Sequence, residues 1–365
     1  MKASLHRAQL RYGGGLLLHT ASSGPVDGLD TLYLMLEHGP HTGIGEVRIN
    51  IAYLNGISPE LCLEKTLSFL GDVDWSLEPA AIQAELALQK GVIAPVRMLV
   101  DIALHDLIAR ESGVTVSTML GGSAASVVRY RTNQTLFISS TERFLAQADA
   151  YVARGFCDLK VRVGGGDFAE DMARIASLRQ RFGDAVKLAI DANGSWSEAE
   201  AAENLRVLAR FGLAYVEQPV APGDWDMLNR LAEASPLPLM LDESVATSAD
   251  MAAIVAARGR LWAHLKLVKL GGIAASFAAA KRLAEANIPF MVGQMNEGAV
   301  ATAAALHLSC ATGPRFAELY GADGLENDAA SGLVYRDGGV EGPAHAGLGL
   351  EFDASKAHLV KEFEA

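Results

Sequence analysis

The sequence predicts an α/β barrel, a modified (β/α)7β barrel, with an α+β capping domain built from the N-terminal region and the C-terminal tail. Three observations carry this expectation. From about residue 127 onward, short apolar runs alternate with Ala-, Leu- and Glu-rich helical stretches, the pattern of a parallel sheet. Asp191, Glu217 and Asp242 each close one such run at intervals of 26 and 25 residues (217 − 191, 242 − 217), and Lys266 follows 24 residues later (266 − 242). Charged groups therefore end runs two to six in succession. A barrel gathers its strand ends at one mouth, whereas an open sheet concentrates its site at one switch point.

The elements follow in order. Residues 1–60 read as strands with turns, including the apolar run LYLML at 32–36 and the turn-rich GPHTGIGE after it. Residues 79–112 read as helices, because apolar residues recur at three- and four-residue steps through VRMLVDIALHDLI. The candidate barrel strands are VVRYRT, CDLKVRV, VKLAID, LAYVE, LPLMLD, LWAHLKL, IPFMV and RFAEL, with seven helical stretches between them. The tail from 321 is rich in Gly and Asp and contains GLVYRDGGV, a hairpin signal. It is expected to pack back on the N-terminal piece, since an isolated hairpin is only marginally stable. The domains expected are a cap over 1–125, a barrel over 126–320 and a returning segment over 321–365.

Composition narrows the partners. Half of the 365 residues are hydrophobic, enough for a large core, and the formal charge is −12 with no basic stripe. Nucleic-acid binding needs clustered Lys and Arg, so it is not expected. Cys62, Cys157 and Cys310 are few, odd in number and far apart, which fits a reducing cytosol. The start, MKASLHRAQLRY, lacks the apolar core of a signal peptide. No run reaches the roughly eighteen apolar residues of a membrane helix. A cytoplasmic protein without a membrane partner is the expectation.

Side chains alternate along a strand. Lys160 and Arg162 therefore share a face, as do Asp191 and Asn193, Asp242 and Ser244, and His264 and Lys266. Lys269 has the opposite parity to Lys266 and reads as structural. Three carboxylates converging on one mouth repel each other strongly and need raised pKa values or a cation. An all-oxygen donor set favours a hard ion, Mg2+ first. A lysine beside such an ion loses proton affinity and can serve as a neutral base.

The motifs together resemble the enolase superfamily, in its muconate-lactonizing and mandelate racemase-like branch. GIGE (43–46) is similar to the family's cap motif, and residues 94–122 to its helix ending in LLGG. DANG, VEQP, DES and LKLVKLGG fall in the family's order. The resemblance implies that Asp191, Glu217 and Asp242 hold one Mg2+ per active site, with Mn2+ as the alternative. It makes Lys266 the principal acid/base and Lys160 a contact to the substrate carboxylate. Asn193, Glu297, Glu318 and the cap-loop residues His19, Arg48 and Tyr53 are the expected substrate contacts, pointing to a polar, acidic substrate. A homo-oligomer is expected because barrels of this family commonly assemble.

Three departures from the family pattern matter. Arg162 stands where the family has its second lysine base. With a pKa of about 12.5–13.8, only on the order of one arginine in 10⁵ to 10⁶ is neutral near pH 7. Arg162 is therefore assigned charge and geometry, a fork for a carboxylate. The Asp-x-Asp of dipeptide epimerases is replaced by Glu318, Leu319 and Tyr320. His264 is unusual two residues before the lysine and is read as hydrogen-bonded within the barrel, while His307 is read as a core residue. The expected function is Mg-dependent abstraction of the α-proton of a small carboxylate substrate by Lys266, giving a metal-stabilised enediolate, with a lyase (dehydratase) or cycloisomerase outcome. The alternative is a racemase or epimerase with Arg162 on the second face, and a further alternative is a non-catalytic small-acid binding protein.

Overall fold

The computed structural model describes residues 1–13, 18–20, 24–26 and 28–364. Eight parallel strands lie side by side in chain order: β1 (Gln134–Leu136), β2 (Asp158–Arg162), β3 (Lys187–Asp191), β4 (Val216–Glu217), β5 (Leu239–Leu241), β6 (Leu261–Lys266), β7 (Phe290–Gly293) and β8 (Phe316–Glu318). The seam is bridged where the Asn133 N–H donates to the carbonyl of Ala317, 3.0 Å away. The sheet is thus a nearly closed barrel. Helices such as Thr141–Ala153, Phe168–Phe182 and Glu198–Leu208 connect successive strands. Their starts are encoded locally: Ser140, Asp167, Ser197, Asp224 and Thr247 each accept a first-turn N–H, and Ser197 and Thr247 form reciprocal pairs with Glu200 and Asp250.

The first of the eight expected runs behaves differently from the rest. Val127–Arg131 leaves the barrel and pairs antiparallel with Gly339–Pro343, which pairs in turn with Val334–Arg336. Of its five residues only Val128 is buried. A strand with one solvated face suits an antiparallel sheet, while barrel strands are covered on both faces. Gln134–Leu136, buried throughout, takes the place of the first barrel strand. The GLVYRDGGV hairpin therefore joins this small sheet rather than the N-terminal one.

The return to the N-terminal region is made by the last strand. His358–Glu364, Lys2–Leu10, Leu29–His38 and His41–Arg48 form an antiparallel sheet in that order. Helix Ala94–Glu111 lies on it, buried along most of its length. The glycines of GIGE permit this approach: a Cβ on Gly45 would overlap the carbonyl oxygen of Leu99, and one on Gly43 that of Ala103. The acid of the same motif points into the barrel. Glu46 is fully buried and accepts from the backbone N–H groups of Gly298 (2.6 Å), Val300 (2.9 Å) and Ala301 (3.0 Å). It caps helix Ala299–Thr312 by accepting the first N–H groups that have no partner within the helix. The cap and the barrel are thereby tied at the edge of the mouth. Among the described residues, no helix is long and apolar enough to cross a membrane.

Candidate active site

Register brings the charged strand ends together. Arg162 is paired with Asp191 across β2 and β3, and Asp191 with Glu217 across β3 and β4. Asp242 stands one residue beyond β5, and Lys266 ends β6 opposite β2. All five, with Lys160 and Glu318, are buried. Burial of this many charges is tolerated only where each has a partner.

The pairing is dense. The Lys160 amine donates to Glu217 Oε2 (3.0 Å) and meets Glu318, with Asp191 Oδ2 at 3.5 Å. Arg162 pairs with Asp191 and donates to Asn193 Oδ1 (3.2 Å). The Lys266 amine donates to Asp242 Oδ2 at 2.7 Å and lies 3.6 Å from the sulfur of Met295. Asn193 donates from its amide to Glu243 Oε1 (3.1 Å), and its backbone N–H donates to Asp191 Oδ1 (2.9 Å). His264 is fully buried and its Nδ1 meets Glu217 Oε1 at 2.8 Å, so both oxygens of Glu217 are held, one by His264 and one by Lys160.

These contacts set the protonation states. Burial disfavours the Lys266 ammonium, but the carboxylates of Asp242, Glu318 and Glu217 outweigh it and hold the amine above the usual lysine range. Burial likewise opposes ionisation of Asp242, and Lys266 with Lys269 reverse this and hold it well below the carboxylate range. Glu217 is lowered in the same way, burial being overcome by Lys160 and His264. Asp191 is instead pushed up to about 7, because burial and the charge of Glu217 exceed the help of Arg162 and Lys160. Arg162 stays well above its ordinary value, where Asp191 overcomes the cost of burial.

A cavity opens over this floor. Arg162, Asn193, Asp242, Glu243, Lys266 and Glu318 line its polar side, and Leu18, Val26, Tyr53, Leu54, Phe137 and Met295 its apolar side. Of the expected substrate contacts, Asn193, Glu318 and Tyr53 line the cavity. Lys160 sits behind the acids and does not. Arg48 is also turned away: its guanidinium donates to Asn50 Oδ1 (2.7 Å), to the Asn50 carbonyl (3.2 Å) and to the Asn296 carbonyl (3.2 Å), another tie between cap and barrel. Glu297 is buried beside the helix start, where it accepts from the Met295 N–H at 3.0 Å. His19 belongs to strand Leu18–Thr20, but its side chain lies outside the described residues.

Sequence reasoning missed several participants. Lys269 contacts both the carbonyl and Oδ1 of Asp242. The parity argument fails for it because β6 ends at Lys266 and the chain turns helical over Leu267–Leu270, where residues three apart share a face. Gln218, of the VEQP motif, adopts φ 33°. Its amide accepts from the N–H groups of Asp242 (3.1 Å) and Ser244 (3.2 Å), and so fixes the backbone beneath the acid. Strain of this kind persists only where the surroundings enforce it. The signal for Gln218 was present in its place after Glu217, but nothing in spacing reveals an amide bridge.

Comparison with known proteins places this geometry. Residues 143–356 match the enolase C-terminal domain-like family. An L-Ala-D/L-Glu epimerase of Bacillus subtilis (strain 168) is 32% identical over 290 residues, covering 75% of this chain and 78% of the relative. A chloromuconate cycloisomerase of Pseudomonas putida is 30% identical over 264 residues, 70% of each chain. The crystal structure of a dipeptide epimerase from Methylococcus capsulatus, complexed with Mg and the dipeptide L-Arg-D-Lys, matches with a TM-score of 0.83 at 25% identity, covering 96% of this chain and 99% of that one. The chain belongs to the enolase superfamily, on its muconate-lactonizing and mandelate racemase-like branch, and is an enzyme.

Proposed function

We propose that this enzyme removes the α-proton of a small carboxylate substrate with the amine of Lys266, from one face, in a lyase or cycloisomerase reaction. The observation that supports it best is the asymmetry across the mouth. Lys266 on β6 offers a titratable amine to the cavity, and β2, four strands away, offers only the guanidinium of Arg162.

The donor set fits a divalent cation. Asp191, Glu217 and Asp242 are buried oxygen donors that are now answered by ammonium and guanidinium groups, so the site is built around positive charge. Ligand atoms of Glu217, Asp242 and His264 lie within 4.8 Å of one another; this cluster takes in His264 and leaves out Asp191, whose carboxylate is turned to Arg162 and Lys160. A bound divalent ion, Mg2+ first, would supply the positive charge that answers these acids and the substrate carboxylate and that lowers the proton affinity of Lys266. Arg162 stays charged and orients the carboxylate through its fork. Lys160 holds Glu217 and Glu318 in place from behind. Lys266 takes the proton and returns it, or passes it to a leaving group. The apolar side of the cavity excludes water, which strengthens each of these interactions. It also favours a substrate with an apolar side group. The acidic substrate suggested by the cap sequence loses its support because Arg48 is engaged with Asn50 and Asn296.

Exchange in deuterated water tests the proposal. Wild-type enzyme with Mg2+ should exchange the α-hydrogen of an accepted dipeptide or N-acyl amino acid, and Lys266→Ala should not. Exchange retained by the variant would remove Lys266 from this role. The similarity to dipeptide epimerases favours a second reading, epimerisation with Arg162 on the other face. Deuterium entering both epimers at comparable initial rates would establish that reading and end the one-sided one.

A further inference from the structure

We propose a second ligand site at the opposite, N-terminal mouth of the barrel, for a small anion that carries a flat ring. That face of a barrel ordinarily serves stability. Here it encloses a cavity of about 380 Å³ among the starts of β1, β2, β3, β4 and β8. The volume is within the range of small-molecule sites.

Its charge runs against that of the whole chain. Arg129, Arg131, Lys187 and Arg315 stand around the cavity with the buried Lys160, and Asp158 is the carboxylate that lines it, although the formal charge of the chain is −12. Arg129 is answered by Glu341 at 2.9 Å, and Lys187 lies 3.6 Å from Asp158. Lys160 is answered by Glu217 and Glu318, whereas Arg131 and Arg315 have no carboxylate partner among the described residues. Arg131 reaches only the sulfur of Cys157, at 3.8 Å, and Arg315 lies over the rings of Trp262 (5.0 Å) and Phe316 (5.8 Å). An exposed guanidinium without a carboxylate is common. Two beside a cavity in an acidic protein make an anion site.

The floor supplies the rest of the recognition. Tyr215 and Phe316 line it, their rings 5.0 Å apart at an angle of 64°. A flat ring can stack there while its anionic group reaches Arg131 and Arg315. Asn133, 7% exposed, also lines the cavity, and its Oδ1 has no hydrogen-bond partner. A buried acceptor left unpaired is costly, and a ring bearing an N–H or O–H donor would satisfy it. The Asn133 amide donates to Glu318 (3.1 Å), the acid that meets Lys160. The lower cavity and the upper site therefore share a wall.

Carboxylates and phosphates both offer this chemistry, so the test uses a probe of each kind. Benzene-1,2-dicarboxylate and AMP are titrated into the intact, Mg2+-loaded enzyme by calorimetry, with inorganic phosphate and benzamide as the ringless and uncharged controls. One probe should bind once per chain, more weakly as salt is raised. Arg131→Ser and Arg315→Ser should each weaken it about tenfold or more, since a hydrogen bond to a charged group is lost. Both arginines are exposed, so these variants should fold as the wild type does, and Arg315→Lys should keep part of the affinity. Binding that survives Lys266→Ala identifies the lower cavity. The site is refuted if neither probe binds, if binding persists in both serine variants, if Lys266→Ala alone abolishes it, or if inorganic phosphate binds as tightly as the ring-bearing probes.

Discussion

Replacing His264 should weaken metal binding without touching the cavity. The His264 imidazole donates to Glu217 Oε1 at 2.8 Å, while Lys160 holds Oε2 at 3.0 Å. His264→Leu removes one of these two restraints and leaves the other. A hydrogen bond to a charged group contributes about 1.5–3 kcal/mol. At about 1.4 kcal/mol per factor of ten, the divalent-ion dissociation constant should rise roughly 10- to 150-fold. Loss of a group that orients a metal ligand generally costs about 10- to 100-fold, in agreement. Calorimetric titration of the metal-stripped enzyme with Mg2+ and Mn2+ reads this directly and needs no substrate. His264→Asn, which can still donate to the acid, should recover part of the affinity. A His264→Leu enzyme with wild-type thermal stability and wild-type metal affinity would refute the reasoning. It would mean that Lys160 alone positions Glu217.

Other perturbations test other parts of the structure. Arg162→Lys should raise α-hydrogen exchange on the second face about a hundredfold or more, the ratio of neutral fractions of lysine and arginine near pH 7; NMR in deuterated water measures it, and no gain would show that geometry rather than basicity limits that face. Burial holds His307 down to about 4, and its Nδ1 accepts from the Ser117 N–H at 3.1 Å. Between pH 4 and about 6.5 the unfolded chain then binds more protons there than the folded one. Stability should fall as pH drops through this window, by up to roughly 3 kcal/mol from this residue. His307→Gln should flatten that part of a Tm-against-pH curve, and an unchanged slope would assign the effect elsewhere. Gly45→Ala should destabilise the protein by about 1–3 kcal/mol, because the added methyl meets the Leu99 carbonyl; an unchanged Tm would show that helix Ala94–Glu111 can shift.

The barrel was legible because a repeat is a local signal. Each βα unit ends in an apolar run closed by a charge, and three such acids at matched intervals define both the architecture and the floor of the site. What spacing conveys is parity along one strand, and it fails where a strand stops. Lys269 was assigned to the wrong face because the end of β6 is invisible in LKLVKLGG. Val127–Arg131 resembled a barrel strand because its burial on one face only is a tertiary property. Arg48 and Glu297 were legible as polar groups near the mouth, but not as groups already engaged by the backbone of a neighbouring segment. The charge partners of Glu217 lie 47 and 57 residues away in sequence. No local pattern specifies such a meeting.

The order of strands in the N-terminal sheet has a consequence for biosynthesis. Lys2–Leu10 lies between Leu29–His38 and His358–Glu364. On the ribosome its first neighbour emerges almost at once, but its second follows 320 residues later (358 − 38). At about 5–20 residues per second that is a delay of roughly 16 to 64 seconds. Throughout it, one side of the first strand presents unsatisfied N–H and C=O groups, the kind of margin on which stray strands pair. The nascent chain carries this liability until His358–Glu364 appears, so variants that slow translation or loosen that strand should aggregate before they lose activity.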